Sequence, residues 1–236
     1  MRPSGRRADE LRTITFERHF NDSPAGSVLV SYGRTRVLCT ACIEEGVPRW
    51  LMGKGKGWLT AEYGMLPGST GNRKMREARM GKPDSRGLEI SRLIGRCLRS
   101  AVDLKALKDC TVWLDCDVLQ ADGGTRTAAI SGAYVALRDA LEAKRKRWTK
   151  WPLINSIAGV SVGVYKGEVV LDLDYAEDSR ADVDCNIAMD GDARMVEIQG
   201  SAEGEPFDDE TFQEMLRLGR LGIADITRQQ AQAFES

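Results

Sequence analysis

Histidine is almost missing from this chain: His19 stands alone among 236 residues. Chemistry run by an imidazole base, or by a histidine-rich metal cage, is therefore excluded as a first reading. Long apolar runs are missing too. None approaches the roughly 20 residues needed to span a bilayer, so no membrane partner is expected. The first ten residues are charged, with no apolar segment behind them. That excludes a secretory signal and makes the cytoplasm the expected compartment. Cysteine is present at 39, 42, 97, 110, 116 and 185, but without the spacing of a metal site. Cys39 and Cys42 form a C-x-x-C inside the strand-like run 37–43, and no second ligand pair answers them. Buried free thiols are the expectation.

What is present is a globular composition, 42% hydrophobic and 29% charged, long enough for a sizeable core. The net charge of −1 hides a lopsided distribution. Residues 1–100 carry 19 Lys and Arg against 10 Asp and Glu, whereas residues 151–236 carry 6 against 18. A polyanion met by the first part and a metal held by the last is one reading. Two surfaces that merely differ, or that pair with each other in an oligomer, is the other.

The chain is arranged around residues 119–134, LQADGGTRTAAISGAY. Thr111–Leu119 alternates as a strand buried on one face, and Thr127–Leu141 is a helix lean enough to sit deep in a core. Between them Asp122-Gly123-Gly124 permits a tight turn, and Thr125-Arg126 opens the helix. Such a turn aims free N–H groups and the positive dipole end at one point, where an arginine makes a phosphate site. The fragment reads equally as a glycine turn with a solvated arginine.

Strands are expected at 11–18, 26–33, 35–43 and 58–66, with Gly33-Arg34 as a hairpin turn. The glycine- and lysine-rich stretch 50–58 reads as a mobile surface loop, since no Lys-Ser/Thr pair opens a helix after it. A basic segment, Pro67–Arg79, follows, and Ser85 reads as the N-cap of a helix to about Val102. Arg86 in its first turn opposes the dipole, so an anion or carboxylate should compensate it. Arg92, Arg96 and Arg99 read as a solvated face, and the Lys144–Arg147 run as cations closing the central helix. The second part restarts with strands at 156–165, 168–174, 185–190 and 194–199, then a helix over 208–233 with Phe212, Met215, Leu216, Ile223 and Ile226 as its core face. Strands-then-helix twice over suggests a duplicated α/β (α+β) architecture, residues 1–150 and 151–236, in one compact unit. Gly159-Val-Ser-Val-Gly163 matches the serine-esterase G-x-S-x-G but lies inside a strand, so it is a decoy.

Leu171–Cys185 concentrates six carboxylates. Asp172 and Asp174 are expected on one strand face, with Asp178, Asp182 and Asp184 on the connection beyond. The cluster reads as a solvated acidic loop or, with substrate phosphate, as a Mg²⁺ site. Anion site, acidic cluster and basic half together point to a phosphodiester. Phosphorolysis suits a chain so poor in histidine, because inorganic phosphate is already an anionic nucleophile.

Leu119–Ala128, Gly57–Pro67, Leu93–Arg96, Val102–Leu107, Leu171–Tyr175 and the opening Met1–Arg6 resemble bacterial ribonuclease PH, a relative of polynucleotide phosphorylase and the exosome core. The resemblance runs to about Gln229. It implies duplicated units like the second domain of ribosomal protein S5, a homohexamer built as a trimer of dimers, and a phosphate-dependent 3′→5′ exoribonuclease. Such an enzyme trims tRNA precursors and other RNA 3′ ends, releases nucleoside diphosphates and runs in reverse. Carried over, phosphate falls on Arg86, Gly124, Thr125 and Arg126. Mg²⁺ or another divalent cation, with the acid role, falls on Asp178 and Asp184, Asp182 being a weaker candidate. RNA falls on Arg73, Arg76 and Arg79. Gly68 and Met75 stand where the family usually has basic residues, which implies a weaker grip on RNA. A hydrolytic metal nuclease and a non-catalytic RNA-binding ring subunit are the alternatives.

Overall fold

The computed structural model describes residues 2–76, 79, 81 and 84–235. The first sheet is built from β1 (Ile14–Arg18), β2 (Gly26–Tyr32), β3 (Thr35–Glu45), β4 (Trp58–Met65) and β5 (Cys110–Gln120) in the order β1-β2-β3-β5-β4. Its neighbours are antiparallel except β4 and β5, which run parallel and are joined through α1 (Ser85–Ser100). After β5 comes α2 (Thr125–Ala143). The second sheet is antiparallel throughout, β7-β6-β8-β9, from β6 (Ile157–Tyr165), β7 (Glu168–Leu171), β8 (Val183–Asp190) and β9 (Met195–Ala202). A single turn, α3 (Tyr175–Asp178), sits between β7 and β8, and α4 (Asp209–Ala233) closes the order.

The leanness of α2 lets it pack against both sheets: it lies on β2 and β3 on one side and on β6 on the other. Fifteen of its 19 residues are buried. Gly132 lets it settle on Val30 and Cys39, since a Cβ there would stand 2.5 Å from Val30 Cγ1. A buried polar seam fixes its register. Tyr32 Oη donates to Ser131 Oγ at 2.8 Å, Gly159 N donates to the same oxygen, and Gln230 Nε2 from α4 donates to the carbonyls of Ser131 and Ile157. Buried hydrogen bonds of this kind favour one arrangement of helix and sheets, even though Gln230 Oε1 itself has no partner. Their hydrophobic neighbours form one core running through both sheets.

Several local expectations change. The N-cap of α1 is Asp84, whose carboxylate accepts from Arg86 N, and Ser85 is the first helical residue. The basic run lies beyond α2, in a 3-10 turn at Arg145–Arg147, where Arg147 pairs with Glu45. Arg96 and Arg99 are not simply solvated: Arg96 pairs with Glu197 at 2.8 Å and Arg99 donates to Leu59 O. On α4, Leu218 is buried, while Phe212 and Leu216 are only partly covered. The Gly33-Arg34 hairpin is present, Gly33 having φ 56. Ser161 lies within β6, its Oγ accepting from Leu173 N, as expected of a decoy. The six cysteines are free thiols, five of them buried. Cys39 and Cys42, three apart on β3, face opposite sides of the sheet, so they cannot chelate together.

Candidate active site

The glycine turn before α2 is held by an unforeseen group of arginines. Arg12 reaches it from the chain start: Nη1 donates to Asp122 O at 2.6 Å and Nη2 to Gly123 O at 3.4 Å. The same guanidinium forks onto Asp172, Nε to Oδ2 at 2.9 Å and Nη2 to Oδ1 at 2.7 Å. Arg2 and Arg6 bind Glu177, and Arg6 also binds Asp172. Burial raises the cost of the Asp172 carboxylate, but the charge and hydrogen bonds of Arg12 outweigh it and hold its pKa below the usual range. Glu177 is likewise held low, chiefly by Arg2 against burial.

This network corrects the acidic cluster. β7 stops at Leu171, and Asp172 turns the chain with φ 54, so it shares no strand face with Asp174. Asp174 caps α3 in a capping box with Glu177. Asp182 is exposed and outside the cleft lining. Of the six carboxylates only Asp178 and Asp184 face the cleft, and among the described residues no group of three or more His, Cys, Asp or Glu converges as a metal site. Part of the charge asymmetry is thus spent inside the molecule, basic start against acidic end.

Gly123 and Gly124 take φ 75 and 67, left-handed values that suit glycine. At 123 the lack of a side chain has a second use: a Cβ would stand 2.6 Å from Leu173 O and 2.9 Å from Tyr175 N. The turn therefore seats directly on the backbone that starts α3, bringing the head of α2 beside Asp178. No side chain caps α2. Its first-turn N–H groups at Thr125 and Arg126 stay available, with the positive dipole end behind them. Tyr63 Oη donates to Thr125 Oγ1 at 2.8 Å, which leaves the threonine hydroxyl free to donate onward.

These elements line one cleft of about 810 Å³, shared by Arg86, Gly123, Gly124, Thr125, Arg126, Asp178, Asp184 and Asn186. Arg126 is held by Gln199 Oε1 at 2.5 Å, with Glu89 at 3.8 Å. Arg86, exposed in the first turn of α1, lines the same cleft as Asp178 and Asp184, and its charge favours their ionised forms. Even so, burial and then the Asp178 charge push Asp184 up to about 6, against Arg126, Asn186 and Arg86. Burial raises Asp178 as well. Two desolvated carboxylates that repel each other, beside two arginines, can hold a cation and an anion side by side.

Of the basic segment, Thr70, Gly71, Asn72 and Lys74 line the cleft, and Arg73, Arg76 and Arg79 are exposed. Residues 10–141 match domain 1 of the 3′ exoribonuclease family, and residues 155–221 match domain 2. This chain belongs to the 3′ exoribonuclease family. Solved structures with its fold include rice (Oryza sativa) Rrp46, 19% identical with a TM-score of 0.80, covering 98% of this chain and 99% of that one. The Archaeoglobus fulgidus exosome with RNA bound to the active site is 23% identical with a TM-score of 0.81, covering 96% and 91%. An archaeal exosome core is 23% identical with a TM-score of 0.76, covering 100% and 91%. The mixed α/β fold of two sheets is that of this family. No helix among the described residues is long and apolar enough to cross a membrane.

Proposed function

We propose that this family member is of the ribonuclease PH type: a phosphate-dependent 3′→5′ exoribonuclease that trims tRNA precursors beyond their CCA end. The observation that carries this reading is the convergence of an anion cradle (Arg86, Gly124, Thr125, Arg126) and a carboxylate pair (Asp178, Asp184) in one cleft. Phosphate lies in the cradle, its charge met by both arginines and the α2 N–H groups. One of its oxygens attacks the terminal phosphodiester, the P–O3′ bond breaks, and a nucleoside diphosphate leaves. The freed 3′-oxygen takes up a proton; Asp184, raised to about 6, can supply it where it carries one, and serves as a cation ligand where it is ionised. Phosphorolysis nearly conserves bond type, so the reverse reaction uses the same groups.

The donor set fits Mg²⁺: two hard carboxylates that repel each other, with room for phosphate oxygens. When bound, the cation supplies charge stabilisation to the phosphoryl oxygens and the leaving oxygen. Asp178 and Asp184 would hold it, and Arg86 and Arg126, in the same cleft, would meet the charge of the nucleophile. Arg73, Arg76 and Arg79, exposed next to the cleft-lining stretch, would hold the RNA body, and a homohexameric ring would gather several such segments. The likeness in fold to an exosome with RNA at its active site supports an RNA substrate.

The test is a 3′-extended tRNA incubated with and without phosphate. Nucleoside diphosphates appearing only with phosphate support the reading, whereas monophosphates released without it point to a hydrolytic nuclease. Arg73→Ala with Arg76→Ala should slow tRNA trimming far more than phosphorolysis of a short oligomer. Arg126→Ala should fold normally, since its partners are one amide and one distant carboxylate. It should raise KM for phosphate roughly 10- to 100-fold, the range expected for charge-assisted hydrogen bonds. Near-normal rates at limiting phosphate would refute the assignment of Arg126.

A further inference from the structure

The opening residues of the chain do not line the cleft, yet Arg2, among them, uses every donor it has inside the protein. Arg2 is 4% exposed, and its partner Glu177 is fully buried. The two form a fork, Nε to Oε1 at 2.6 Å and Nη2 to Oε2 at 2.7 Å. Nη1 donates to Arg7 O at 2.9 Å and to Glu10 O at 3.4 Å, and Nη2 donates also to Asp172 O at 3.1 Å. The five N–H groups of the guanidinium are thereby all satisfied. The segment that carries Arg2 is itself fixed. It turns at Gly5, whose φ is 73 and whose N donates to Arg2 O, and farther on Ala8 O accepts from Leu171 N.

What Arg2 holds is the turn α3, which ends on Asp178. A single helical turn has no stability of its own in water, so its placing comes from its surroundings. The start of α3 is pinned without Arg2: Leu173 N donates to Ser161 Oγ, and Gly123 seats on the backbone of 173–175. The end depends on Glu177, which closes the capping box with Asp174 and meets Arg2 in the interior, with Arg6 at 3.1 Å as its second cation. Asp178 follows it, about 100° further round the turn. Glu177 turned inward therefore leaves Asp178 turned to the cleft, which it lines. A buried ion pair contributes little more stability than apolar packing of the same volume, but a fork fixes direction.

We infer that Arg2 is a positioning residue for Asp178: by fixing Glu177 it sets the rotation of α3, so that the opening of the chain aims one of the two cleft carboxylates. This rests on the reading of Asp178 and Asp184 as the cation-holding pair. The arginines near the chain start then divide the site between them. Arg12 anchors the glycine turn and with it the phosphate side, whereas Arg2 anchors the acid side. Loss of Arg2 leaves Glu177 with Arg6 as its remaining ion-pair partner and frees the end of α3 to carry that carboxylate outward. Asp178 then no longer keeps its place relative to Asp184.

The test uses the full chain without RNA or phosphate, Mn²⁺ as the probe cation, and temperatures well below each variant's melting point. Arg2→Gln should raise the Mn²⁺ dissociation constant, read by electron paramagnetic resonance, about tenfold, the loss typical when a group that orients a metal ligand is removed. Amide exchange at 177–179 should quicken about tenfold, while exchange at the head of α2 stays within about twofold. Arg2→Lys keeps the charge without the fork and should recover part of both losses; it also carries the comparison should Arg2→Gln not fold. In a Glu177→Gln background Arg2→Gln should add nothing, because the effect passes through Glu177. A lower melting point with unchanged Mn²⁺ affinity would overturn the inference and leave Arg2 a stability clamp. A full effect of Arg2→Gln in the Glu177→Gln background would overturn it too. If wild-type Mn²⁺ binding is indifferent to Asp178→Asn, the cation pair itself is refuted, and exchange at 177–179 alone decides whether Arg2 holds α3.

Discussion

Asp184→Asn should cut turnover at saturating phosphate and RNA by a hundredfold to a thousandfold or more, while RNA binding in chelator stays within about twofold. On the proposed reading the substitution removes a charge from the cation site and the group that protonates the leaving oxygen, each a contribution of several kcal/mol to the barrier. Binding should survive because the arginines proposed to meet the RNA backbone are untouched. A second readout separates chemistry from folding. A buried carboxyl raised to about 6 weakens the fold wherever it must ionise, above that pH. In chelator at pH 7.5 the asparagine variant should therefore melt no lower than wild type. Full activity with unchanged Mg²⁺ dependence would leave Asp178 and Asp184 a half-buried acidic pair with no part in the chemistry.

Arg12→Ala should be the most destabilising single change outside the apolar core. It leaves Asp172, fully buried, with the more distant Arg6 as its one ion-pair partner beside the backbone N–H of residue 12, and it frees the carbonyl of Asp122. Removing one partner of a buried pair costs about 3–5 kcal/mol, which for a chain of this size means a Tm lower by roughly 6–20 °C. The pH dependence has a definite sign. Asp172 has a depressed pKa, so its contribution is present above the ordinary carboxylate value and is lost as pH falls through the lower folded value. The gap between wild type and variant should thus be full near pH 7 and close in acid. Where the variant remains folded, KM for phosphate should rise, because the cradle loses its anchor. Arg12→Lys should recover stability better than KM, keeping the charge but not the fork. A variant that loses stability with no change in KM would make Arg12 purely structural.

The secondary structure was legible because it rests on periodicity. Alternation over β3 and β5, glycine at the hairpin and the small residues of α2 each specify one local outcome. The cleft was legible in part: Arg86, Thr125, Arg126, Asp178 and Asp184 do meet. The use of most of the acidic cluster was hidden, because Arg2, Arg6 and Arg12 lie some 160 residues or more before Asp172 and Glu177, and no local pattern ties a charge to so distant a partner. Tyr63, Lys74 and Asn186 were missed for the same reason. The available signal is position in the sequence: Tyr63 within Gly57–Pro67, Lys74 within the basic segment Pro67–Arg79, and Asn186 two residues past Asp184. Asp172 was misplaced because alternation with leucine imitates a strand that a left-handed residue in fact ends.

Gly123 seated on the start of α3 bears on stoichiometry as well. The cradle residues before position 127 and the acids at 178 and 184 belong to one chain and line one cleft. If the proposed chemistry holds there, an assembly has as many chemical centres as chains, and an inactive copy would silence only its own. Association would then change how long an RNA stays and how it is presented, with bond breaking left to each chain separately.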